Sequence, residues 1–393
     1  EEYHSAALVI LAGSSRKLGN IEKAIRQAEQ ALVLADEHCL AGVKASAWSM
    51  LGAIHSSLGS YDKALEFYGR AVSLSTELGN TTDVSGYMGN IGTVYKNLGD
   101  YEQALLYYGR ALATHEELGN KSGIAGMTMG IGNVHVHLGD YEQGIEFFGR
   151  SLAMFEVLGN ASGCASASLG IGNVYFCLGN YEQALEYMER ALTAHKEHGE
   201  KSNVALVLGN IGTVHVELGN CEQALEYYGY ALTLYEELYE KSGIARITMG
   251  IGNVYDDLGV YEQALEYYGR ALAIHEELGE KSGVALVTGN IGTVYSTLGK
   301  YKEATESYRR SLTLYEQLGG KTGIARALGN MGNLHANHDF DEYDAERAKE
   351  LFLRAIEICM EIGAKKDQYE LHKSLAALFE KDEQWEKFAI HFK

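Results

Sequence analysis

The sequence predicts an all-α protein: a right-handed α-solenoid, or superhelix, built from about ten antiparallel helix pairs. Three observations carry this expectation. Segments recur with a strict period of 40 residues, each period contains two runs of apolar residues at helical spacing, and the 393 residues include no proline. Proline breaks helix interiors, so its absence from so long a chain favours long uninterrupted helices and excludes proline-rich linkers. A closed globule of this length would divide into two or three domains, but a repeating chain grows without a single closed core.

The period is plain in the residues. Ile91-Gly92-Thr93-Val94-Tyr95 returns as Ile131-Gly132-Asn133-Val134-His135, again from Ile171, Ile211, Ile251 and Ile291, and as Met331-Gly332-Asn333-Leu334-His335. Tyr101-Glu102-Gln103-Ala104-Leu105 returns from Tyr141, Tyr181, Cys221 and Tyr261, with weaker copies from Tyr61, Ile21 and Tyr301. In the first half of one period Val84, Met88, Ile91, Val94 or Tyr95, and Leu98 share a helix face; in the second half Tyr101, Leu105, Tyr108, Ala111 or Leu112, His115 and Leu118 do. Between them, Gly99 suits the left-handed residue that ends a helix. Asp100 suits the N-cap of the next, with Gln103 three residues on as a capping box requires. Gly119 and Asn120 repeat the device, so each helix is expected to run roughly 17 residues and turn tightly into an antiparallel neighbour. The units then run approximately over 4–40, 44–80, 84–120, 124–160, 164–200, 204–240, 244–280, 284–320, 324–363 and 368–393.

A glycine inside a helix costs roughly 1 kcal/mol against alanine, so a repeated one needs a reason. Gly92, Gly132, Gly172, Gly212, Gly252, Gly292 and Gly332 hold one repeated site, where a missing side chain lets a neighbouring helix approach closely. Gly109, Gly149, Gly229 and Gly269 repeat on the second helix; they either serve the same purpose or lie on an outer surface.

These residues resemble the tetratricopeptide repeat. Ile91, Gly92, Tyr95, Gly99, Tyr101, Ala104, Tyr108 and Ala111 carry the likeness, which extends over essentially the whole chain. The usual unit has about 34 residues and a terminal proline; here the period is 40 and the proline is missing, which lengthens both helices. The long variety is similar to repeats of spindle-orientation adaptors and kinesin light chains. The wording Glu117-Leu118-Gly119-Asn120-Lys121-Ser122-Gly123-Ile124-Ala125 and the tail Tyr369-Glu370-Leu371-His372-Lys373-Ser374-Leu375 resemble most the arrays that precede output domains in bacterial signalling proteins. The ends depart from the pattern. Ser15 and Ile21 replace aromatics in the first unit, and the ninth has four extra residues around Asp339-Phe340-Asp341-Glu342-Tyr343-Asp344. The tenth, with Leu375, Ala376, Phe379, Trp385, Phe388 and Phe392, stops within its second helix at Lys393, so continuation of the natural chain is expected.

The resemblance implies a concave groove lined by the first helix of each unit, with a protein or peptide in it. Two sites three residues apart on those helices share a face and read Asn90/Thr93, Gly130/Asn133, Gly170/Asn173, Asn210/Thr213, Gly250/Asn253, Asn290/Thr293 and Asn330/Asn333. An asparagine amide both donates and accepts, so this row either clamps a ligand backbone or bonds to neighbouring helices and holds the stack in register. Asn173, Asn210 and Arg246, and again Asn253, Asn290 and Arg326, resemble part of the carboxylate clamp of some family members. The remaining clamp sites hold Leu169, Met249, Gly250 and Asn330 in place of basic residues, so chaperone tails are not the expected ligand. The arginines either meet a carboxylate of a partner or pair with Glu217, Asp256 or Asp257. The ligand-binding residues expected are therefore Asn90, Asn133, Asn173, Asn210, Arg246, Asn253, Asn290, Arg326, Asn330 and Asn333.

No catalytic constellation, metal site or cofactor is expected. His55, His135, His215 and His335 stand where tyrosine packs in other units, and His115, His195 and His275 share one repeated site, which marks both sets as structural. No His-x-x-x-His pair and no ligand-spaced cysteines occur. Glycine strings such as Gly130-Ile131-Gly132 lie within helices and do not follow a strand, as a phosphate loop does. A net charge of −20 opposes nucleic acid and anionic membranes. Five unpaired-looking cysteines, Cys39, Cys164, Cys177, Cys221 and Cys359, fit the cytoplasm. There is no apolar run of membrane-spanning length, and the repeat pattern carries no signal for oligomerisation. The function expected is a protein-interaction scaffold, the sensor or docking region of a larger signalling protein. The alternatives are an adaptor that clamps a long peptide, and the non-catalytic part of an enzyme such as a cyclase or kinase.

Overall fold

A computed structural model describes residues 2–381. Trp385, Phe388 and Phe392 of the tenth unit lie outside the described residues. Within them the chain is helix and turn: α1 (Glu2–Lys17), α2 (Ile21–Glu37), α3 (Ala41–Ser57), α4 (Tyr61–Glu77), α5 (Thr81–Leu98), α6 (Tyr101–Glu117), α7 (Lys121–His137), α8 (Tyr141–Val157), α9 (Ala161–Cys177) and α10 (Tyr181–Glu197) are followed by α11 (Lys201–Glu217), α12 (Cys221–Glu237), α13 (Lys241–Asp257), α14 (Tyr261–Leu278), α15 (Lys281–Thr297), α16 (Tyr301–Leu318), α17 (Lys321–His335), α18 (Ala345–Ile362) and α19 (Lys365–Lys381). The chain is an all-α solenoid of helix pairs. It divides into two compact units, Glu1–Gly250 and Ile251–Lys393.

The joints show why the helices end where they do. Gly99 has φ +81°, its N–H donates to the Lys96 carbonyl, and the Asp100 N–H donates to the Tyr95 carbonyl. This pairing satisfies the last carbonyls of α5. The Asp100 carboxylate in turn accepts from the Gln103 N–H at 3.1 Å and caps α6. One residue closes one helix and opens the next, so three residues reverse the chain. The reciprocal half of the expected capping box does not form, because the Asp100 N–H is already held by Tyr95. Cys39 and Tyr239 occupy the glycine site of their joints with φ of +56° and +55°, a conformation that costs a side-chain-bearing residue roughly 1–2 kcal/mol.

Most core clusters join the second helix of a pair to the first helix of the next, while Ala325 and Leu328 of α17 pack with Leu351, Ala355 and Cys359 of α18 within one pair. Ala104 and Tyr108 of α6 pack with Ile131 and Val134 of α7, and Tyr95 of α5 borders them. In the second unit Ala348, Phe352 and Ile356 of α18 pack with Leu375, Leu378 and Phe379 of α19. A lone hairpin would leave these faces wet; stacking buries them, and a fully buried large apolar side chain stabilises by about 1.5–3 kcal/mol. The extra residues between α17 and α18 close over the core. Phe340 is buried there, its ring 5.6 Å from that of Tyr301 and 5.5 Å from that of His335.

The repeated glycine of the first helix receives the aromatic ring of its partner helix. A Cβ at Gly92 would lie 3.0 Å from the Tyr108 ring, at Gly212 2.8 Å from Tyr228, at Gly252 2.7 Å from Tyr268 and at Gly332 2.7 Å from Phe352. A second, unforeseen glycine column works the same way across the other joint: a Cβ would meet His115 at 2.5 Å from Gly123, Phe155 at 2.4 Å from Gly163, and Tyr315 at 2.2 Å from Gly323. The column at Gly109, Gly149, Gly229 and Gly269 serves no close approach, for each faces open space.

Two substitutions in the second unit should therefore act in opposite directions. Gly252→Ala forces a methyl into the fully buried Tyr268 ring and should destabilise by about 1–3 kcal/mol. Gly269→Ala fills open space and should stabilise by about 1 kcal/mol through helix propensity. In the first unit, Tyr239→Gly should stabilise by about 1 kcal/mol by relieving the left-handed strain. Urea denaturation of each variant reads all three.

Candidate functional site

The first helices form the inner wall of each unit. α1 touches α3, α3 touches α5, α5 touches α7, and α7 touches α9, as do α15 and α17, and α17 and α19; among the described residues no two second helices are seen to approach to a similar extent. The expected asparagines stand on this wall, all of them half-buried or exposed.

Their bonding explains the alternation between the two sites. Where Asn comes first, the threonine three residues on meets the phenol of the partner helix: Thr93 Oγ1 lies 2.9 Å from Tyr108 Oη, Thr213 3.0 Å from Tyr228 Oη, and Thr293 accepts from Tyr308 at 3.3 Å. Where Gly comes first, it admits the ring of the preceding pair. A Cβ at Gly130 would sit 2.9 Å from Tyr108, and at Gly170 2.6 Å from Phe148. The polar role then passes to Asn. Asn253 accepts from Tyr268 Oη at 2.8 Å and from Asn290 Nδ2 at 3.1 Å. Asn210 Nδ2 donates to Asn173 Oδ1 at 3.3 Å, and Asn133, opposite a phenylalanine that lacks a hydroxyl, donates back to the Met129 carbonyl at 3.1 Å. Asn90 is exposed. Two asparagine rungs thus link successive first helices, and each retains donors or acceptors for another molecule.

The arginines are held alike. Arg246 donates to Tyr235 Oη at 2.9 Å with its guanidinium 5.8 Å from the ring centre, and Arg326 donates to Tyr315 Oη at 2.8 Å with its guanidinium 5.9 Å from that ring. The partner of Arg246 is a phenol, not Glu217, whose carboxylate instead accepts from Tyr181 Oη at 3.5 Å. Arg246 also reaches within 3.5 Å of where a Gly209 Cβ would stand, which sets it beside Asn210. So Asn173 and Asn210 are bonded to each other, and Arg246 reaches Gly209, the residue next to Asn210 in sequence. Arg326, Asn330 and Asn333 line an open pocket of about 440 Å³ with Tyr315, Leu371 and Ser374. Asp256 is raised above the usual carboxylate range by burial and then by Asp257; burial and these acids also push the Tyr268 phenol up.

The histidines are packing groups. His55, His135 and His215 stack on Phe67, Phe147 and Tyr227 with ring centres 5.5, 5.2 and 5.2 Å apart, as Tyr95 does on Tyr107 at 5.4 Å. Of each tyrosine pair one ring is core, such as Tyr108, while Tyr107 lies at the rim beneath Arg110. Buried His195 and His275 meet Glu200 and Glu280 across the joint, and buried His115 faces Ser85 and Asn120. No group of three metal-binding side chains converges among the described residues.

The Tetratricopeptide repeat family model matches residues 43–117, 123–197, 163–237, 243–317 and 283–342. The chain belongs to the tetratricopeptide repeat family. That family is typically a non-catalytic scaffold for protein interaction, and this is the coarse role of the chain. No curated protein matches it in sequence. Among solved structures it is similar to a Rap protein complexed with Competence and Sporulation Factor, with TM-score 0.59, 16% identity, and coverage of 96% of this chain and 99% of that one. It is also similar to the Rap conjugation gene regulator of plasmid pLS20 in complex with a Phr peptide (TM-score 0.60, 14% identity, coverage 91% and 98%). A third likeness is to a Signal Transduction ATPase with Numerous Domains protein with a tetratricopeptide repeat sensor, from Pyrococcus horikoshii (TM-score 0.54, 15% identity, coverage 81% and 49%). At these identities the likeness is one of fold. No described helix is long and apolar enough to cross a membrane.

Burial holds the imidazoles of His55, His115 and His215 below the ordinary histidine range of 6.5. As pH falls below that range the unfolded chain takes up protons that the folded chain refuses, so stability is full above it and declines beneath it. The thermal midpoint should therefore drop between pH 7 and pH 5. His115→Phe, which copies Phe155 at the equivalent site, should flatten the drop while leaving the midpoint at pH 7.5 nearly unchanged.

Proposed function

We propose that the tetratricopeptide array binds an extended peptide of a partner protein along its first helices. The observation that carries this reading is the bonded amide pair Asn173–Asn210 on the first helices, with Arg246 held on Tyr235 and reaching the residue next to Asn210, all with hydrogen-bonding capacity to spare. Amides in a row can satisfy the carbonyl and N–H groups of an extended backbone without reading its side chains. A guanidinium adds a fork for a carboxylate. Asn90, Asn133, Asn253, Asn290, Asn330, Asn333 and Arg326 are proposed as further contacts of the same kind. The rungs at Asn173–Asn210 and Asn253–Asn290 support the stack and the ligand together, because one amide supplies both.

The peptide bound to one of the structurally similar Rap proteins accords with this reading, and a repeat sensor in the Pyrococcus horikoshii protein accords with a sensing or docking role within signalling.

The test is selection of peptides on the full chain from a random display library, followed by affinity measurement on variants. Arg246→Glu with Arg326→Glu should weaken the selected peptides at least tenfold, and Asn210→Ala about threefold or more. Peptides that bind the double variant as tightly as the parent chain would overturn the proposal.

A further inference from the structure

A row of side chains at the C-terminal ends of the first helices of the first unit changes character from one repeat to the next. From α5 to α11 the two columns read Lys96 and Asn97 on α5, Val136 and His137 on α7, Phe176 and Cys177 on α9, and Val216 and Glu217 on α11, while α1 and α3 before them carry Arg16 and Lys17, and Ser56 and Ser57. The structure holds this row in a fixed register. The tyrosines that start α6 and α10 each meet the residue 36 positions on: the Tyr101 ring lies 5.9 Å from that of His137, and Tyr181 Oη lies 3.5 Å from the Glu217 carboxylate. Phe176 fills the space between, its ring 5.9 Å from Tyr181. Sequence order therefore becomes spatial order along one edge of the inner wall.

The charges at the two ends are not compensated. The chain carries a net charge of −20, yet half-buried Lys96 pairs with no acid among the described residues, and His137 has Lys96 as its charged neighbour. Burial lowers both groups below their ordinary values, and Lys96 lowers His137 further. At the other end the exposed Glu217 carboxylate is met by a phenol and, among the described residues, by no cation. Unpaired charge in a partly dehydrated place, as at Lys96, is costly unless something supplies the counter-charge.

We infer that this edge recognises a peptide segment by the order of its charges: an acidic side chain against Lys96 and His137, an apolar stretch over Val136, Phe176 and Val216, and a basic side chain against Glu217. The inference rests on the proposed peptide-binding role and gives the peptide its chemistry. Three steps between packed first helices, at about 8–10 Å each, span roughly 27 Å, which about eight or nine extended residues cover. A segment with one sign of charge throughout is favoured at one end and repelled at the other.

The test uses three fluorescein-labelled nine-residue peptides and the full chain. One has two aspartates at one end, a leucine- and glycine-containing middle, and two arginines at the other end. The second has aspartates at both ends, and the third has arginines at both ends. Fluorescence polarisation should show the mixed peptide bound at least tenfold more tightly than either control. Lys96→Glu and Glu217→Lys should each weaken it about tenfold, while circular dichroism shows both variants fully helical. Equal affinity for the three peptides, no binding of any, or indifference of the mixed peptide to Lys96→Glu would overturn the inference. The two readings separate on Asn210→Ala. If library-selected peptides need Asn210 but ignore Lys96 and Glu217, the groove role stands and the charge order falls; if they need neither, both fall.

Discussion

The interlock between a helix-interior glycine and an aromatic ring sets the geometry on which the rest depends. At Gly92, Gly212, Gly252 and Gly332 the ring of the partner helix occupies the volume that a Cβ would take. The gain is not the glycine itself, which weakens a helix, but the depth to which Tyr108, Tyr228, Tyr268 and Phe352 sink. The column at Gly123, Gly163 and Gly323 repeats the device at the joint between pairs. With both approaches fixed by contact, neighbouring pairs within each unit meet in similar ways, and a period in sequence becomes a period in space.

That periodicity forces chemistry into columns. The phenol of a sunken tyrosine emerges beside the first helix and needs a partner. Thr93, Thr213 and Thr293 supply one, and Asn253 supplies another where a glycine has displaced the asparagine from the neighbouring site. The inner-wall amides are thus a product of packing, whatever ligand they are proposed to meet. Their spacing follows the helices, so a ligand that uses several of them must be extended. Membership of the tetratricopeptide repeat family accords with a protein-interaction scaffold, and single columns, such as the one from Lys96 to Glu217, depart from uniformity.

The joints show how economical the connection is. Asp100 ends α5 through its N–H and begins α6 through its carboxylate. Because that N–H is taken, the glutamine three residues on is released from the cap. Capping signals in the sequence are therefore accurate for position and only partly accurate for bonding, since two motifs compete for one donor.

By itself the sequence determined the helices, their ends, their pairing and the burial of one ring from each Tyr-Tyr pair, because period, glycine placement and capping are local properties that each copy restates. It also marked the inner-wall asparagines. The tertiary structure alone decided what those residues touch: that Asn173 meets Asn210, that Arg246 lies on Tyr235 instead of pairing with Glu217, that Gly109 faces open space while Gly123 is pressed against His115, and that His137 stands against Tyr101. These contacts join residues on different helices, at separations from 8 to 37 positions. The helical period fixes which face a side chain occupies, but only packed backbones fix the last few ångströms between one face and the next.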